Sequence, residues 1–90
     1  MQVQRRLSDR ELFCARPWRA PDRAQVIFAV PEPAPGESEW SLVIATLHGT
    51  WLYQRKLSAP RSPASFTEAE LREVYEEALE NLQGRLRVVN

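Results

Sequence analysis

Four glutamates, Glu73, Glu76, Glu77 and Glu80, recur at the i, i+3, i+4, i+7 spacing that places side chains on one face of an α-helix. Carboxylates gathered in this way could hold a divalent cation through oxygen ligands. Nothing near them in sequence supplies a water-activating base or a Gly-rich phosphate loop, so the ridge is expected to be a solvated helix face, with no metal, no cofactor and no catalytic residue. A second constellation is basic. Arg5, Arg6, Arg16 and Arg19 surround Trp18, and arginine interleaved with an aromatic suits an anion or single-stranded nucleic acid through phosphate pairing and base stacking. The single histidine, His48, precedes a glycine in a turn and has no orienting partner in sequence. The single cysteine, Cys14, has no neighbouring histidine and reads as an inert thiol.

The run Arg72-Glu73-Val74-Tyr75-Glu76-Glu77 resembles the helical half of the Nudix hydrolase signature, and Gly49-Thr50-Trp51-Leu52-Tyr53 resembles a strand that often precedes it. In that family, residues matching Glu73, Glu76 and Glu77 would bind metal and act at a diphosphate. The paired glycines of the signature loop have no counterpart here, and Leu79 stands where the motif ends in glycine. The resemblance therefore implies at most a catalytically degenerate relative.

The elements that must position these residues are easier to read. Thr67 and Glu70 make a capping box, with Phe66 and Leu71 as its hydrophobic staple. Leu71, Val74, Tyr75, Ala78, Leu79 and Leu82 then form one apolar stripe, so a long amphipathic helix is expected from Glu68 to Gln83. Gly84 is expected to stop it, and the alternation around Leu86 and Val88 predicts a final short strand. Residues 8–15 carry a second staple and capping box, Leu7-Ser8-Asp9-Arg10-Glu11-Leu12, and read equally as a short helix or a hairpin. Gln2 to Leu7 reads as a first strand, and Gln25 to Val30 as a central strand covered on both faces.

Trp40 to Leu57 predicts a hairpin turning at His48-Gly49. In that register Trp40, Leu42, Ile44, Trp51, Tyr53 and Leu57 share one face, on which the helix should pack. Val43, Ala45, Leu47 and Leu52 share the other, which is half apolar and calls for a covering element or a partner. The expected fold is one α+β domain over residues 1–90: an antiparallel sheet of four to five short strands with the C-terminal helix across one face.

Twelve basic residues balance twelve acidic ones, so net charge draws the whole chain toward neither nucleic acid nor membrane. The distribution is uneven, with arginines concentrated in the first thirty residues and glutamates in the last third. A lone cysteine excludes an intramolecular disulfide and fits a cytoplasmic location, and no apolar run is long enough for a membrane span. The expected function is a small, non-enzymatic interaction or regulatory module. It would bind a protein partner, or itself as a homo-oligomer, through Val43, Leu47 and Leu52 or through an exposed strand edge. Nucleic-acid binding through Arg5, Arg6, Arg16, Trp18 and Arg19 is the alternative.

Overall fold

The structure, a computed structural model, describes residues 5–89, with side chains described as far as residue 81. The chain is α+β. Helix α1 (Asp9–Cys14) is followed by strands β1 (Arg16–Arg19), β2 (Gln25–Ala29), β3 (Trp40–Ala45) and β4 (Trp51–Leu57), a 3-10 turn at Pro63–Ser65, and helix α2 (Glu68–Val89). The strands form an antiparallel meander in the order β1-β2-β3-β4. The final strand expected around Leu86 and Val88, and the helix stop at Gly84, are not shown: the bounds of α2 run past both positions. Glycine permits a left-handed stop without requiring one.

Both helices begin as their sequences dictate. Ser8 accepts from Glu11 N–H at 3.2 Å while the Glu11 carboxylate accepts from Ser8 N–H at 2.7 Å. Thr67 and Glu70 repeat the exchange at 3.1 and 2.8 Å. Between residues 8 and 15 the chain is helical from Asp9 to Cys14, and Pro17, whose ring disfavours helical geometry at the residue before it, lies just past the boundary as the second residue of β1.

The sheet has a core on each face. Beneath α2, Trp18, Val26, Phe28, Leu42 and Ile44 meet Phe66, Leu71, Val74, Tyr75 and Ala78. On the opposite face, Leu7, Ile27, Ala29, Val43 and Ala45 are buried together, with Leu12, Ala15 and Trp51 packed against them. The N-terminal segment and α1 are therefore the covering element that the second face required. Of the first strand expected over Gln2 to Leu7, the described part is one bridge, Arg6 opposite Thr50.

The hairpin differs from its expected turn in one consequential way. Trp40–Leu57, Leu42–Arg55 and Ile44–Tyr53 pair as the alternation predicts, but Ala45 then pairs with Trp51 across a bulge. Thr46 and Thr50 close the loop through Thr46 N–H to Thr50 O at 2.9 Å, and Gly49 N–H donates to Thr46 O at 2.8 Å. The loop is thus Leu47-His48-Gly49, three residues with glycine at φ +93°, where a β-carbon is disfavoured. Lengthening a turn by one residue exchanges faces, and a bulge at Leu52 restores the alternation beyond it. Trp51 consequently moves to the α1 face. Leu52 projects from the bulge.

Candidate functional site

The acidic ridge lies where α2 overhangs the outer strand β4. Arg55 Nη1 sits 3.5 Å from Glu73 Oε1 and 3.6 Å from Glu77 Oε2. Tyr53 donates its hydroxyl to Glu77 Oε1 at 2.9 Å, and this bond to a carboxylate, helped by partial desolvation, raises the phenol above its ordinary value of 10.0. Glu76 and Glu80 are exposed and complete the ridge. Among the described residues no group of three or more His, Cys, Asp or Glu side chains converges as a metal-ligating set. Two of the three glutamates that the Nudix resemblance singles out, Glu73 and Glu77, instead clamp an arginine and a tyrosine of the edge strand.

The basic constellation is divided by the fold. Trp18 is 8% exposed; its ring lies 5.4 Å from Phe28 in edge contact and 5.3 Å from Tyr75. Its Nε1–H donates to Glu68 Oε2 at 2.9 Å. These contacts place Trp18, expected as part of a basic and aromatic surface patch, in the core beneath α2. Arg16 is consumed in the same corner, donating to Phe66 O at 2.8 Å and to Glu68 Oε1 at 3.1 Å. Those bonds tie β1 to the start of α2. Arg5 and Arg6 lie at the other edge of the sheet: Arg5 stacks over the Trp51 ring at 4.0 Å, and Arg6 donates to His48 O at 3.1 Å. Arg19 is exposed on β1. The separation of the two groups, four inter-strand spacings or about 19 Å, makes two small basic spots rather than one.

The residues expected to form an apolar docking face also separate. Val43 has 0% exposure, buried against Leu7, Ile27, Ala29 and Ala45, so it holds the core together and cannot touch a partner. Leu47, at the loop tip, is 52% exposed, and Leu52, on the bulge, 37%. Phe13, on the outer side of α1, is 90% exposed. Cys14 is exposed beside it, at the rim of a cleft of about 260 Å³ that Arg10 and Glu11 also line.

Among the described residues, part of one backbone edge stays unpaired. β4 is a terminal strand of the sheet, seven residues long, with alternating exposure along its length. The described part of the N-terminal segment, from Arg5 on, pairs with its beginning, through Leu7 N–H to Gly49 O at 2.8 Å and Trp51 N–H to Arg5 O at 2.9 Å. From Tyr53 to Leu57 the outer edge has no backbone partner among the described residues. Compared with protein-family profiles, curated proteins and solved structures, the chain matches none. No helix among the described residues is long and apolar enough to cross a membrane.

Proposed function

We propose that this protein is a non-enzymatic interaction module that receives a protein partner on the outer edge of β4, with Leu52 as the apolar contact at one end. The observation that carries this reading is the coexistence of two covered sheet faces with an outer β4 edge that, from Tyr53 to Leu57, has no backbone partner among the described residues. An unpaired edge presents a row of backbone donors and acceptors that an extended segment can satisfy.

A photo-crosslinker placed at Gln54, exposed on β4, tests the reading in the cell that makes the protein. Labelling of a protein at this position, and loss of that labelling in Leu52→Arg with an unchanged circular dichroism spectrum, is the expected result. Equal labelling from a crosslinker at Arg10 on α1, unaffected by Leu52→Arg, would move the interface off β4 and overturn it.

A further inference from the structure

Resting on that reading of the β4 edge, we infer that its occupant is an extended segment rich in lysine or arginine, rather than a second copy of this chain. The inference comes from the charge that borders the open backbone. Among the described side chains, Glu73, Glu76, Glu77 and Glu80 flank the edge with four carboxylates, and Arg55 lies against them, within 3.6 Å of two. Lys56, the other cation on the strand, turns to the opposite face and reaches Glu39 at 3.4 Å. Among the described side chains on the α2 side, an incoming strand on this edge therefore lies beside more carboxylates than cations.

The same charge disfavours self-pairing. Two copies of β4 joined antiparallel are related by a two-fold axis perpendicular to the sheet, so both α2 helices fall on the same side of the joined sheet. Their glutamate ridges then face each other across the junction, and like charges brought together across an interface are penalised. A segment with basic residues at alternate positions meets neither problem. One set of its side chains projects toward the ridge, while its backbone continues the ladder. Side-chain geometry at the edge fits this use, because Tyr53 and Arg55 are already held down by Glu77 and Glu73.

The experiment is a titration of the full chain, isotopically labelled, with a ten-residue peptide of alternating lysine and threonine and with its glutamate–threonine counterpart. Amide exchange in β4 and binding at two salt concentrations are the readouts. The basic peptide is expected to slow exchange of Tyr53 to Leu57 amides and to bind more weakly as salt rises. Glu76→Lys combined with Glu80→Lys, at two exposed positions, should weaken it about tenfold, the scale of two exposed charge pairs reversed in sign. If the glutamate–threonine peptide protects β4 equally, the edge is a docking site but its preference for basic segments is wrong. If neither peptide protects β4, or only α2 resonances respond, both the preference and the edge reading fail. Protection of the outward β4 amides already in the free protein, or a dimeric mass lost on mixing, would show the edge occupied by this chain and overturn the inference.

Discussion

Gly49→Ala is the most direct probe of how α1 comes to cover the second sheet face. Gly49 holds φ at +93°, and a β-carbon built there would fall 3.0 Å from Leu12 Cδ2 and 3.4 Å from Leu12 Cγ. The left-handed backbone alone costs a residue with a β-carbon about 1–2 kcal/mol. Crowding against Leu12 adds an amount near the lower end of the ~1–3 kcal/mol typical of overpacking, since the obstructing atoms are the end of a flexible side chain. Loss of unfolded-state freedom returns about 0.4–1 kcal/mol. The net loss is therefore about 1–3 kcal/mol, a large fraction of the roughly 5–13 kcal/mol that the usual per-residue range gives a chain of this length. Urea denaturation followed by tryptophan fluorescence should show a lower midpoint with an unchanged slope. Leu12→Ala in the same chain removes the crowding but not the backbone strain, so the two changes together should cost about 1 kcal/mol less than their sum. Strict additivity would refute contact between α1 and the loop. An unshifted midpoint for Gly49→Ala would refute the three-residue loop itself.

Leu71→Ala, at a position with 0% exposure under α2, should cost about 2–5 kcal/mol, and Thr67→Ala, which removes the cap, about 1 kcal/mol; equal effects in denaturation would contradict the packing described. Both tyrosines should titrate above 10.0 in an ultraviolet absorbance titration, Tyr53 chiefly through its bond to Glu77 and Tyr75 chiefly through burial, aided by Asp22. Because folding favours the neutral phenols, their contribution to stability is complete below the unfolded value and is lost as pH rises through the folded ones. Asp22→Asn should lower the Tyr75 midpoint alone. The Arg61 guanidinium and the Thr67 N–H hold Glu70 down at about 2, so its contribution is present above the unfolded value of 4.5 and disappears as pH falls through about 2; in Arg61→Ala the carboxyl resonance should titrate closer to 4.5.

Much of the architecture was legible because several local signals agreed. The Thr67–Glu70 box, the apolar stripe from Leu71 to Ala78 and the continuous run Val26 to Ala29 each specify an element without tertiary information. The pairing of Trp40 to Ile44 with Tyr53 to Leu57 was legible too, since the bulge restores the parity that the loop disturbs. Trp51 was misplaced because glycine after a polar residue suits both a two-residue and a three-residue loop, and only the tertiary fit of Leu12 against Gly49 selects between them. Leu7 and Leu12 carried a usable signal: a staple and cap predict a helix whose apolar residues must bury somewhere, and Val43 and Ala45 were waiting for a cover. Trp18 was the harder case. Its aromatic neighbours Phe28 and Tyr75 and its acceptor Glu68 are distant in sequence, so nothing local distinguishes a stacking platform from a core residue.

The two edges of the sheet explain why any docking should be one-sided. β1 is four residues long and contains Pro17, which has no backbone N–H to offer an added strand. The neighbouring side chains Arg16 and Trp18 are both fastened to Glu68. That edge is closed by composition and by its ties to α2. β4 is longer and lacks proline, and its bulge falls near the start, where the N-terminal segment already pairs. Bulges and edge charges are ordinary protection against unwanted pairing, but here Arg55 and Lys56 are each occupied by glutamates of the same chain. The protection is thereby partly cancelled over Tyr53 to Leu57, and a ligand that brings its own positive charge would meet the least resistance there.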